Sequence, residues 1–189
     1  MERRLSATLV AAGAMVLTLA MSGAAAAAPG AKGDGASLAD IRQATAQFQD
    51  PAAAVAAGYV PVSPCEALPG VGGMGVHYLN PGFAQDLSSD PLAPEVLLYA
   101  PTGDGWRLVG VEYFSVALAV TESGPAPWFG SEPPPLGFFN AAPSVLGHTF
   151  NGPMAGHNPQ MPWHYDLHVW IWQGNPAGMF EPWNPTVRC

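Results

Sequence analysis

Basic residues are scarce, six Lys and Arg in 189 residues against fourteen Asp and Glu. Binding a phosphate backbone requires a basic footprint, so nucleic acid is excluded as a partner, and an anionic membrane surface is disfavoured for the same reason. Cysteine is rarer still. Cys65 and the last residue, Cys189, are the only two, and they lack the C-x-x-C spacing of a zinc ribbon, which weakens a two-cysteine metal site. In an oxidising compartment an even pair is most simply one disulfide. It would close a loop of about 125 residues, which a chain-entropy model values at roughly 4–5 kcal/mol.

Long apolar runs are missing too, except at the start. Met1–Arg4 is basic, Leu5–Met21 is apolar, and Ser22–Ala28 is a string of small residues before Pro29. That order predicts a secretory signal peptide over 1–28; the run is nearly long enough to span a bilayer, but its alanine-rich exit favours cleavage. The mature protein is expected to be secreted, to begin near Pro29 and to carry no membrane span. Removing Glu2, Arg3 and Arg4 leaves four basic residues, Lys32, Arg42, Arg107 and Arg188, against thirteen acidic ones. About 160 residues suit one domain with a real core. Residues 29–36 read as a flexible leader, and 37–189 as a single globular domain.

Within that domain, Ser37 can cap a helix over 38–49, and Asp50-Pro51 a second one that Gly58 ends. From Tyr59 onward short β runs are separated by Gly, Pro and Asn. "GVHYLN" (75–80), "EVLLYA" (95–100) and "WRLVGVEYFSVALAV" (106–120) read as strands, the last two joined through "PTGDG". Four Asn-Pro dipeptides mark turns, and the Pro-rich stretch 121–147 reads as an irregular cover over the core. No internal repeat is evident. The expected class is α+β: short N-terminal helices on a mostly antiparallel β barrel or sandwich, closed by Cys65–Cys189.

The chemistry concentrates in "WHYDLHVWIW" (163–172). Alternation of β-branched and aromatic residues predicts a strand, with His164, Asp166, His168, Trp170 and Trp172 on one face and Tyr165, Leu167, Val169 and Ile171 on the other. Residues four apart in a strand are separated by about 13 Å. His164 and His168 therefore do not easily grip one ion, unless His164 lies on a bend after Pro162. Glu112, inside "RLVGVEYF", is a carboxylate that burial penalises unless it is paired or holds a cation. His77 sits among glycines that allow close backbone approach.

Donors from three strands thus point to a metal held by His77, Glu112 and one or both of His164 and His168, with Asp166 as ligand, orienting group or catalytic base. Histidine and carboxylate donors suit Zn, Fe, Mn or Cu. His157 is a candidate flexible fourth ligand, and His148 reads as structural. Met74, Met154, Met161 and Met179 form no copper motif. The contrary reading is a satisfied His/Glu/Asp hydrogen-bond network in a non-catalytic module. Trp163, Trp170, Trp172 and Trp183 would then offer a platform for an apolar or sugar-like small molecule. Neither a G-x-S-x-G elbow nor a P-loop occurs.

The G-M-G-x-H-Y, G-V-E-Y and H-Y-D-L-H-x-W-x-W segments, which start at Gly73, Gly110 and His164, resemble those of a family of small exported bacterial proteins, common in actinobacteria. The resemblance covers most of the mature chain. It implies export and a single domain, and it supplies no reaction.

Overall fold

The computed structural model describes residues 35–189; the expected signal peptide over 1–28, and all of the leader before Gly35, lie outside them. Two short helices come first, α1 (Leu38–Thr45) and α2 (Pro51–Ala56), joined by a 3-10 turn over Ala46–Gln49. Both caps form as expected. Ser37 and Asp40 make a reciprocal capping box, and the Asp50 carboxylate accepts from Ala52 N ahead of Pro51. The α-helix is shorter than expected, ending at Thr45. There the chain tightens into 3-10 geometry, and Phe48 leaves helical dihedrals and buries its ring.

Eleven strands follow among the described residues: β1 (Val60–Pro61), β2 (Glu66–Leu68), β3 (Gly72–Leu79), β4 (Val96–Thr102), β5 (Gly105–Val116), β6 (Leu118–Ala119), β7 (Ala126–Pro127), β8 (Ser144–Val145), β9 (His148–Thr149), β10 (Asn151–Met154) and β11 (His164–Val169). Seven of them form one antiparallel sheet in the order β1-β3-β4-β5-β11-β10, with β2 also paired to β3. No ladder joins β10 to β1, so this sheet is not closed into a barrel. Two small ribbons, β6–β7 and β8–β9, lie in and beside the Pro-rich cover.

Two expected strands are cut short, each for a local reason. The run 106–120 divides at Ala117, where the Asn140 side chain accepts from Leu118 N (2.7 Å) and donates to Val116 O (2.9 Å). Strand β11 ends at Val169, whose carbonyl accepts from Ile171 N in a tight turn (2.9 Å). That turn breaks the alternation. Trp172 consequently packs with the helix-side core and donates to Thr45 Oγ1 (3.1 Å), away from the face where the sequence placed it.

Both faces of the sheet are covered, as its nearly continuous apolar strands require. On one side Ile41, Phe48, Ala54 and Tyr59 pack against Leu97, Tyr99, Val111, Tyr113, Leu167 and Val169. On the other, Val96, Leu98, Phe114 and Trp170 lie under Val187 from the C-terminal segment, with Met161 and Ala84 beside them. The expected disulfide is present, Cys65–Cys189, with Cα atoms 5.5 Å apart. It holds the C-terminal segment down. Gly73 and Asn184 exchange two backbone bonds, each 3.0 Å, and a Cβ on Gly73 would stand 2.8 Å from Val187 Cγ1. Gly75 has φ +90°, and a Cβ there would strike the Tyr99 carbonyl. Gly70 to Gly75 happen to match the G-x-G-x-x-G spacing of a dinucleotide loop, but they run into a strand and open no helix.

No helix among the described residues is long and apolar enough to cross a membrane. The tryptophans do not assemble into one platform. Trp163 and Trp172 belong to the helix-side core and Trp170 to the other. The indole N–H groups of Trp163 and Trp170 are bonded internally, to Gly130 O and Glu181 O.

Candidate metal centre

Register places the polar residues. Glu112 of β5 stands directly opposite His168 of β11 on one side and Val96 of β4 on the other. His77 of β3 stands opposite Leu98 of β4. Cross-strand partners share a face, so Glu112 and His168 come together from adjacent strands. His77 reaches them across the width of β4. His77 Nε2 lies 3.2 Å from Glu112 Oε2, and His168 Nε2 lies 3.8 Å from the same oxygen. One donor atom from each of the three falls within 4.8 Å of the others, and all three residues are buried.

His164 and Asp166 lie on the same face further along β11, with His164 Nε2 3.9 Å from Asp166 Oδ2. His164 is not part of the close group. This follows the spacing argument, because His164 is the first residue of the strand and His168 the fifth. His157 is exposed, on the segment between β10 and β11, with its ring 5.6 Å from that of His164. Its backbone N–H meets Sδ of Met161 within the same segment (3.5 Å), and Met161 packs against the apolar residues of this face. His148 stacks on Phe180, away from these groups.

Hydrogen bonding fixes where the imidazole protons sit. Ser63 Oγ donates to Pro64 O (2.7 Å), so its oxygen is left to accept from His77 Nδ1 (3.0 Å). The His77 proton is therefore on Nδ1, and Nε2 turns a lone pair toward Glu112. Pro162 O can only accept, so His164 Nδ1 (3.1 Å away) carries that proton and Nε2 is again a lone pair. This is the arrangement of a ligating histidine, whose outer nitrogen donates to oxygen and whose inner one is free to bind. Neither Ser63 nor the Pro162 carbonyl was legible in the sequence, since their contacts arise only from the folded approach of β3 and of the turn before β11.

Several of these atoms have no partner. Glu112 Oε2, both ring nitrogens of His168, His164 Nε2 and Asp166 Oδ1 are buried and make no hydrogen bond. Each such group costs about 1–3 kcal/mol where nothing compensates it. Burial also disfavours their charged forms. It lowers His77 to about 3, with further lowering by His157 and His164, and His164 to about 4. His168 falls well below the usual imidazole value, mainly by burial. Glu112 is raised by burial and then by the charges of Asp166 and Glu95, and burial raises Asp166 to about 6. The short His–Glu contacts are thus not ion pairs between charged side chains. They bring unprotonated nitrogens and a carboxyl oxygen to one point.

Glu95 is a third buried carboxyl that the sequence reading passed over, because it stands at the edge of an apolar run. Its Oε2 accepts from Phe114 N (3.1 Å), taking the place of ladder that β4 no longer provides below Val96. Burial pushes it up to about 8, against backbone bonds that pull it down. The fold therefore holds this proton well above the ordinary value of 4.5. Its contribution to stability is complete below that value and disappears as pH rises through 8. Glu95→Gln keeps the bond to Phe114 without the ionisation. Its stability relative to the parent, read from urea midpoints, is expected to improve by more than about 1 kcal/mol between pH 5 and pH 9. A constant difference across that range would show that Glu95 ionises freely in the fold.

No protein-family model, curated protein or solved structure matches this chain.

Proposed function

We propose that this is an exported domain that holds one divalent or transition-metal ion through His77, Glu112 and His168. The observation that carries the reading is the convergence of buried, unpartnered donor atoms, Glu112 Oε2 and His168 Nε2, beside the oriented Nε2 of His77. A finished hydrogen-bond network would pair these atoms, and here Glu112 Oε2 and His168 Nε2 make no hydrogen bond. Two imidazoles and one carboxylate form the donor set of catalytic zinc sites and of non-haem iron sites. Zn, Fe, Mn and Cu are the ions that suit it. Three protein ligands leave at least one coordination position for water or substrate, which suits metal-assisted hydrolysis or oxidation. Asp166, on the same face of β11, is read as a ligand or as the side chain that orients or deprotonates a group bound there. Export rests on the character of residues 1–28, on the disulfide, and on the resemblance to small exported actinobacterial proteins.

Elemental analysis of untagged protein, exported and purified without chelator, tests this directly. At least one equivalent of a single metal is expected, with about one equivalent lost in Glu112→Ala. Absence of metal after loading with Zn(II), Cu(II), Mn(II) and Fe(II) in turn would refute the reading and return the cluster to a purely structural role.

A further inference from the structure

The triad does not account for every donor buried on this face. His164 is fully buried, its Nδ1 proton is committed to Pro162 O, and its Nε2 lone pair has no partner. Asp166 is 2 % exposed, and its Oδ1 also lacks a partner. Asp166 Oδ2 and His164 Nε2 stand 3.9 Å apart. That gap is too wide for a direct hydrogen bond, and the width is close to what two donors need to share one ion at about 2.0–2.2 Å from each. The exposed His157 stands at the solvent side of the same pair, its ring 5.6 Å from the His164 ring.

We propose a second cation position on this face, formed by His164 and Asp166 with His157 as an outer donor that closes it from solvent. It takes a first-row divalent ion, since two imidazoles and a carboxylate are borderline-soft nitrogen and oxygen donors. The proposal rests on the reading that the buried donors of this face hold metal. Asp166 is two residues and His164 four residues from His168 on the same side of β11, so the second position lies about 7–13 Å along the strand from His168. His164 and His168, which a single ion cannot easily join, each acquire an ion of their own.

The test is zinc stoichiometry on the full mature chain with its disulfide intact. Equilibrium dialysis against Zn(II) is followed by elemental analysis for the parent and for His164→Gln, Asp166→Asn, His168→Gln and His157→Ala. The expected result is two equivalents in the parent and one in each of His164→Gln, Asp166→Asn and His168→Gln. The surface variant His157→Ala, which leaves the buried core intact, is expected to keep two equivalents and to bind the weaker one about tenfold less tightly. One equivalent in the parent, unchanged by His164→Gln but lost in His168→Gln, would overturn the second position while leaving the triad standing; a water then bridges His164 and Asp166. One equivalent lost in both variants would make His164 a ligand of a single shared ion and overturn it equally. No zinc in the parent would remove both readings. Near-ultraviolet circular dichroism of each variant separates lost donors from lost folding.

Discussion

Adding the cognate ion to metal-free protein is expected to raise its melting temperature by about 5–15 °C, and Glu112→Ala is expected not to respond. An ion at a hundred to a thousand times its dissociation constant stabilises the folded state by about 3–4 kcal/mol. A domain of this size gains roughly 2–4 °C for each of those kilocalories. The unfolded chain contributes little competing affinity, because His77, Glu112 and His168 are brought together only by the pairing of β3, β4, β5 and β11. The metal-free comparison is equally informative. Glu112 is 3 % exposed and lies among unpartnered acceptors, so replacing it and His77 together by apolar residues should leave the metal-free protein as stable as before or more so. A loss of about 3 kcal/mol or more in that double variant, with no thermal response of the parent to any ion, would mean that the cluster stabilises the fold by itself.

Opening Cys65–Cys189 is expected to have the largest effect on stability. The bond spans a sequence separation of 124 residues, for which loop-closure entropy gives about 4–5 kcal/mol. The Cys65→Ser, Cys189→Ser double variant should accordingly melt roughly 10–20 °C lower. Structure adds a second consequence. The bond anchors the segment that carries Asn184, fully buried and paired with Gly73, and Val187, which covers the apolar residues of the face that carries His77, Glu112 and His168. Gly73 is on β3, the strand of His77. Freeing this segment should therefore weaken metal binding as well as the fold, seen as a rise in the dissociation constant at temperatures where the variant is still folded. Unchanged melting on reduction would show that the packing of Asn184 and Val187 holds the terminus without the bond.

Local rules carried the reading a certain distance. Capping chemistry placed both helices, at Ser37 and at Asp50-Pro51. Alternation identified β11 and put His164, Asp166 and His168 on one face, and cysteine parity indicated the disulfide. A carboxylate inside "RLVGVEYF" was anomalous by burial cost alone. Local rules failed where a distant group intervened. Asn140 bonded to two strand positions and divided β5 from β6, and the turn at Ile171 sent Trp172 to the other core. Glu95 gave no signal because the amide it serves, Phe114 N, is nineteen residues away.

The sequence by itself determined which residues are costly to bury and which of them share a strand face, since both follow from side-chain chemistry and the period of two. Only the tertiary structure decided which donors meet. The register of β11 on β5 sets His168 rather than His164 opposite Glu112, and the position of β4 sets how far His77 must reach. Register depends on burying whole faces at once, a property of the assembled sheet that no single segment contains.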